Sequence, residues 1–130
     1  MKRLLLIPML MTFTACTTVV RAPIEGRQDP FHSAQAHFDS DQLRRDTATK
    51  APILTRSEAG MLVVVLPIRS AIDKTLYVDY SVTFFDRNGV PIERSGPFTK
   101  TLNANTPDQI MVNSTSTQAA DFQVDFRYAR

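Results

Sequence analysis

The alternation of apolar and polar side chains between residues 76 and 85 constrains the fold of this chain more than any other feature. Apolar residues occupy every second position from Leu76 to Phe84, and most residues between them are polar. Because successive side chains of a β-strand point to opposite faces, this period of two predicts a long, half-buried strand. The same alternation from Phe122 to Tyr128 predicts a final strand. We expect these strands to supply the first core residues, Val82, Phe84, Val124 and Phe126.

Further strands are predicted on both sides of the long one. Met61–Ile68 is a continuous apolar run rich in β-branched residues, which predicts a strand buried on both faces. Asp86–Gly89 ends in Asn-Gly, which tolerates the positive φ angles of a type I′ turn and predicts a hairpin into Val90–Glu93. Ser95-Gly96-Pro97 is expected to end that strand. Two more short strands are predicted at Phe98–Leu102 and Gln109–Val112.

Six or seven short strands separated by turn signals, with no long helical period, indicate an all-β fold. Two antiparallel sheets packed face to face would bury the apolar side of each strand, so we expect an immunoglobulin-like β-sandwich. The 130 residues are enough for one domain. We place the sandwich at residues 46–130, because the preceding stretch lacks strand alternation and contains Pro23, Gly26 and Pro30.

The beginning of the chain has the pattern of a bacterial lipoprotein signal peptide. Lys2-Arg3 precedes an apolar run, Leu4 to Phe13, that at about ten residues is too short to span a membrane. Thr14-Ala15-Cys16 then resembles a lipobox, and it holds the single cysteine. The sequence therefore predicts a signal peptide over residues 1–15 and a lipidated, membrane-anchoring Cys16. Thr17, where Asp would favour the inner membrane, indicates the periplasmic face of the outer membrane.

Residues 16–45 are predicted to form the lipidated N-terminus and a flexible tether. Ser40 is a suitable N-cap, and a short helix is expected to follow it through Arg45. His32 and His37 also lie in this stretch. They suggest a metal site, but a spacing of five does not place two imidazoles on one helix face. We expect both histidines to be solvated, with no metal site.

The sequence contains few residues that support catalysis. The chain has 15 Lys and Arg against 13 Asp and Glu, and Lys2-Arg3 of the leader accounts for the excess, so nucleic-acid binding is not expected. The cysteine is assigned to lipid, and four glycines leave little room for a phosphate-binding loop. Asp79 and Asp125 could face each other as a glycosidase pair does, although solvated strand positions are the commoner explanation. We therefore expect a non-enzymatic protein without cofactors.

Several segments together give the chain a family resemblance. They are Leu66–Ser70, Leu76–Tyr80, Phe84–Gly89 and the closing Ala119–Tyr128. Through them, roughly residues 38–129 resemble the YcfL family of small proteobacterial lipoproteins. The resemblance implies a β-sandwich and transfers no catalytic residues to this chain.

The polar side of the long strand contains the candidate binding residues. Tyr77 and Phe85 are aromatic residues among polar neighbours, and interfaces favour such side chains. The candidate partner-contact patch consists of Tyr77, Asp79, Thr83 and Phe85. In the alternative interpretation, Phe31 or Phe38 of the tether covers the two aromatic residues and nothing binds there.

These features lead to three functional hypotheses. The first is an anchored, non-enzymatic component of a cell-envelope assembly that binds an envelope protein. The second is a small-ligand or glycan binder that uses the end loops 103–108 and 113–118, and a pocket lined by Tyr77 or Tyr80 would favour it. The third is a hydrolase with a shallow site, which needs His32 or His37 beside a carboxylate or a serine.

Overall fold

The computed structural model describes residues 32–130, which contain one short helix and eight strands. In chain order these are β1 (Ala36–Phe38), α1 (Asp41–Asp46), β2 (Thr47–Thr49), β3 (Ile53–Arg56), β4 (Leu62–Ser70), β5 (Leu76–Phe85), β6 (Pro91–Leu102), β7 (Asp108–Asn113) and β8 (Asp121–Tyr128). The predicted signal peptide, Cys16 and Phe31 lie outside the described residues. Within the described part, no helix is long and apolar enough to cross a membrane.

The eight strands form two sheets. Sheet 1 has the strand order β1-β8-β5-β6, with β1 parallel to β8 and the other pairs antiparallel. Sheet 2 is centred on β4, which pairs with β7, β2 and β3. The Lys50 N–H donates to the Pro67 carbonyl between the β2 and β3 pairings, so these two strands follow one another along the same edge of β4. The predicted all-β sandwich is confirmed.

The core lies between the two sheets. The register places Val82 opposite Val124 and Phe84 opposite Phe122, so β5 and β8 turn the same apolar face inward. All four predicted core residues are at most 1% exposed, which confirms the prediction. Sheet 2 closes the core with the even-numbered residues of β4, from Leu62 to Ile68. Each fully buried side chain of this size contributes about 1.5–3 kcal/mol.

β4 differs from the prediction that it would be buried on both faces. Its even-numbered residues are buried, whereas its odd-numbered residues, from Val63 to Arg69, are half-buried. Each sheet of a two-layer sandwich has one face packed on the core and one face towards solvent. The continuous apolar run therefore leaves valines on the outer face of sheet 2.

β6 is a single strand of 12 residues, although the sequence predicted a break at Ser95-Gly96-Pro97. The strand continues because its register with β5 shifts between Tyr80 and Val82, and this bulge accommodates the irregular segment. Gly96 has a φ of 103°, and a Cβ there would lie 2.8 Å from the Tyr80 carbonyl oxygen. The close approach of the two backbones therefore requires glycine.

The predicted hairpin between β5 and β6 is confirmed, but its turn is not of type I′. That turn needs a positive φ at both central residues. Among the described residues other than glycine, only Asn105 has a positive φ, so Asn88 does not. Instead the Asp86 side chain accepts hydrogen bonds from the backbone N–H groups of Asn88 and Val90, and Gly89 supplies the left-handed residue at a φ of 76°.

The folded unit begins before residue 46, within the stretch predicted as a tether. β1 extends sheet 1 as a parallel strand beside β8. The predicted helix is confirmed: the Ser40 side chain accepts from the Leu43 N–H and caps α1. Leu43 is fully buried, and the Tyr128 hydroxyl donates to a carboxylate oxygen of the buried Asp46 at 2.7 Å. These contacts tie the segment to the sandwich, so the boundary predicted at residue 46 moves to a position before β1.

Candidate interaction surface

The outer face of sheet 1 brings the four predicted contact residues together. Tyr77, Asp79, Thr83 and Phe85 alternate with the core residues of β5, so their side chains lie on the face turned away from the core. Tyr77 is 59% exposed, and the other three are half-buried. The patch is therefore most accessible at Tyr77 and partly accessible at the other three positions.

Two ion pairs lie on this face, one of which includes Asp79 of the patch. Arg127 Nε lies 3.6 Å from Asp79 Oδ2, and Arg94 Nη1 lies 3.8 Å from Asp125 Oδ2. The Thr99 hydroxyl donates to the second oxygen of Asp79 at 2.7 Å. Ion pairs at a protein surface contribute about 0–1 kcal/mol to stability. Fixed charges of both signs instead favour orientation and selectivity in binding.

Two shallow depressions open on this face. The first, of about 260 Å³, is lined by the small residues Ser81 and Gly96 and by both ion pairs. The second, of about 550 Å³, is lined by Phe85 and Thr83 among others and shares Arg94 and Asp125 with the first. Neither depression is lined by Tyr77 or Tyr80, the tyrosines expected for a ligand pocket. Open depressions of this kind suit contact with a protein surface better than the enclosed pockets that bind small molecules.

Phe38 does not cover the two aromatic residues of the patch. It lies opposite Phe126 in the pairing of β1 with β8, and the two rings stack with their centroids 5.3 Å apart. Phe126 belongs to the buried core, so Phe38 packs on the inner side of sheet 1. Tyr77 and Phe85 belong to the opposite side, which excludes Phe38 as their cover.

The two histidines have different surroundings. His32 is not freely solvated as expected: its Nε2 lies 2.7 Å from the Arg44 carbonyl oxygen, and its ring packs edge-on against Phe38. His37 is exposed on β1, opposite Asp125, which in turn lies opposite Ser81 of β5. Within residues 32–130, no group of three His, Cys, Asp or Glu could hold a metal ion.

The row His37–Asp125–Ser81 has the residue types of a hydrolase triad in the wrong order. In a Ser–His–Asp triad the histidine lies between the serine and the carboxylate. Here Asp125 occupies the middle strand, and neighbouring strands are about 4.8 Å apart, so His37 is about 10 Å from Ser81. His37 therefore has no direct path to the serine proton.

Two tyrosines at the margin of the core have perturbed acidities. Burial raises the pKa of Tyr80, and the neighbouring Lys100 lowers it by a smaller amount. Burial, the hydrogen bond to Asp46 and the charge of that carboxylate together raise the pKa of Tyr128 to about 12. Tyr128 therefore remains a neutral donor to Asp46 at physiological pH, and this bond holds α1 against β8.

The outer face of sheet 2 carries an apolar row that the sequence analysis missed. Ile53 of β3 and Met111 of β7 both lie opposite Val65 of β4. Ile53 is 56% exposed and Met111 is 64% exposed. The alternation within Gln109–Val112 indicates that Met111 points outward, but the partners of each residue depend on strand pairings distant in sequence.

The fold and its surfaces define a small two-sheet β-sandwich with two ion pairs on the outer face of sheet 1 and an apolar row on the outer face of sheet 2. Comparison with protein-family models and with curated proteins finds no match. Among solved structures, cj0090 of Campylobacter jejuni is similar with a TM-score of 0.63 and 16% identity, over 75% of this chain and 100% of that one. A DUF1425 family member from Shewanella sp. pv-4 is similar with a TM-score of 0.54 and 26% identity, over 65% of this chain and 79% of that one. These likenesses support the fold, and neither name states an activity.

Proposed function

We propose that this chain is a lipid-anchored, non-enzymatic protein of the bacterial cell envelope that binds another envelope protein through the outer face of sheet 1. The observation that carries the binding proposal is the accessible patch on β5, with Tyr77 and Phe85 flanked by ion pairs of both signs. Aromatic residues supply contact area at interfaces, and the charges orient the partner. The anchoring proposal is supported by the lipobox-like Thr14-Ala15-Cys16 after the apolar run.

The proposal includes membership of the YcfL family. It is supported by the sequence resemblance over residues 38–129 and by the structural likeness to a bacterial protein that is 26% identical. The outer-membrane location is part of the same proposal and is supported by Thr17.

Crosslinking in living cells tests this function. We expect the full chain to be acylated at Cys16 and to crosslink to one dominant envelope protein. Cys16→Ser should abolish acylation and weaken the crosslink, because the protein then loses its concentration at the membrane. Tyr77→Ala combined with Phe85→Ala should remove the crosslink while the protein remains anchored.

Phe98→Ala is the matched control, since Phe98 is an aromatic residue of β6 that is 42% exposed and packs on Tyr80 instead of facing the patch. It should keep the partner. Retention of the crosslink in the Tyr77/Phe85 double variant would show that the partner binds elsewhere. An unmodified Cys16 in the wild-type protein would contradict the anchor.

A further inference from the structure

The turn between β5 and β6 contains the only Asn-Gly pair of the chain, Asn88-Gly89. Both residues are exposed. Within the described residues, the side-chain amide of Asn88 makes no hydrogen bond. A Cβ at Gly89 would meet nothing within 4 Å, so the space around this residue is open. The turn therefore presents a free side-chain amide next to a backbone nitrogen that no side chain shields.

An asparagine in this setting can react with the backbone of the next residue. The Gly89 nitrogen gives its proton to water or hydroxide, and its electron pair forms a bond to Cγ of Asn88. The Cγ–Nδ2 bond breaks, and the amide nitrogen takes up a proton and leaves as ammonia. Water then opens the resulting succinimide ring at one of its two carbonyls, which gives aspartate or iso-aspartate. One water is consumed for each ammonia released, and no electron is transferred to or from the chain.

Asp86 holds the turn in a closed state that restrains this reaction. Its side chain accepts hydrogen bonds from the N–H groups of Asn88 at 2.8 Å and Val90 at 3.0 Å. The attacking nitrogen is itself engaged, because the Gly89 N–H donates to the Asp86 carbonyl at 3.1 Å. The reaction therefore requires the turn to open, and surface turns open at a much lower free-energy cost than core strands.

The other three asparagines lack this combination. They are Asn103, Asn105 and Asn113, and each precedes a residue with a Cβ. The Asn105 side-chain amide also donates to the Asp73 carboxylate. Asn113 ends β7, where pairing with β4 restrains the backbone. Reaction at these three positions should therefore be much slower than at Asn88.

We propose that Asn88 is a site of spontaneous deamidation, at which the chain converts with time to aspartate and iso-aspartate, and that the hydrogen bonds of Asp86 set the rate. Both products add a negative charge two residues from Asp86. Iso-aspartate also adds a carbon to the main chain inside the turn, which displaces the N–H groups that Asp86 binds. The proposal is independent of the proposed function.

Incubation of the purified full chain in mildly alkaline buffer, followed by mass spectrometry of its peptides, tests the site. We expect the peptide that contains Asn88 to gain the mass difference between an amide and an acid, and to separate into two products. Peptides that contain Asn103, Asn105 or Asn113 serve as internal controls and should stay unchanged over the same period. Asn88→Gln is the matched variant: its longer side chain must close a larger ring, so residue 88 should show no conversion.

Variants of Asp86 test what sets the rate. Asp86→Ala removes both side-chain hydrogen bonds and should speed conversion about tenfold, because the open turn becomes more populated. Asp86→Asn keeps an oxygen acceptor and should stay close to the wild-type rate. Circular dichroism checks that both variants remain folded.

Three results would overturn the proposal. They are a wild-type chain that gains no mass at Asn88, conversion at Asn113 as fast as at Asn88, and equal rates in wild-type protein and folded Asp86→Ala. The wild-type measurement and Asn88→Gln do not depend on the folding of the Asp86 variants, so the site is tested even if Asp86→Ala fails to fold.

Discussion

The two outer faces of this sandwich are built on similar strands and differ in chemistry. The outer face of sheet 1 carries Asp79, Asp125, Arg94 and Arg127 in two ion pairs. The outer face of sheet 2 carries the apolar row of Ile53, Val65 and Met111, and Lys50 and Arg69 lie at the end of this face next to β2. Both faces are open to solvent, so core formation does not explain the difference. The difference shows that the outward positions of one sandwich can carry different chemistry, because alternation fixes only the inward side of each strand.

The largest expected effect comes from the two sides of β5. If the outer face of sheet 1 serves for binding, its residues should contribute less to folding stability than the core residues of the same strand. We expect Phe84→Ala to cost about 3–5 kcal/mol and to unfold much of the population, since Phe84 is fully buried. The half-buried neighbour serves as the control, and Phe85→Ala should cost about 1 kcal/mol. Urea unfolding measures both free energies. Equal costs would mean that Phe85 is a core residue and not a contact residue.

Gly96 lines the first depression on the outer face of sheet 1, and its substitution gives a second test. Gly96→Ala should cost about 2–4 kcal/mol, because the new Cβ meets the Tyr80 carbonyl oxygen at 2.8 Å and the residue keeps a positive φ. Gly89→Ala also has a positive φ but meets nothing within 4 Å, so it should cost about 1 kcal/mol. Thermal unfolding of the two variants separates the clash from the backbone strain. Similar losses would argue against the close approach at the bulge.

The hydrogen bond from Tyr128 of β8 to Asp46 of α1 tests whether the N-terminal elements belong to the folded unit. Tyr128→Phe should cost about 1–2 kcal/mol at pH 7, because Asp46 loses a hydrogen-bond donor. The pKa of Tyr128 is raised to about 12, so its contribution is complete below its ordinary value of about 10 and is lost as pH rises from there towards 12. Tyr80 titrates in both the wild-type protein and Tyr128→Phe, so the difference between their unfolding free energies reports Tyr128 alone. A difference that stays constant up to pH 12 would contradict the bond.

The smallest expected losses of stability come from one substitution on the outer face of each sheet. Arg127→Met removes one ion pair of sheet 1 and should cost about 0.5 kcal/mol in dilute buffer and almost nothing in 1 M salt, because salt screens exposed charges. Val65→Ala on sheet 2 should cost about 1 kcal/mol at both salt concentrations. Urea unfolding of dilute protein measures both free energies. A salt-dependent loss at Val65, or a salt-independent one at Arg127, would remove the distinction between the faces.

Local patterns predicted much of the fold. The alternation in β5 and β8 identified the strands and the four core residues, because side-chain direction along a strand depends on backbone geometry alone. Ser40 identified the start of α1 because N-capping is also local. The patch on β5 could be proposed for the same reason, since its four residues share one face of one strand.

Local patterns did not predict the strands that depend on a neighbouring strand. Ser95-Gly96-Pro97 contains two strand-breaking residues, yet β6 continues through it because β5 pairs with both halves. β1 looks irregular in the sequence, and its pairing with β8 makes it a strand. Local propensity is a weak determinant of strand formation compared with the packing and hydrogen bonding that a neighbouring strand supplies.

The sequence by itself determined the segments that form β4, β5, β7 and β8, the side of β5 and β8 that enters the core, and the residues of the candidate patch. Only the tertiary structure decided that Arg94 and Arg127 pair with the aspartates of that face, and that Ile53, Val65 and Met111 form one row. Alternation is a property of one strand, whereas a surface spanning several strands depends on their register. That register is set by hydrogen bonds between segments far apart in the chain.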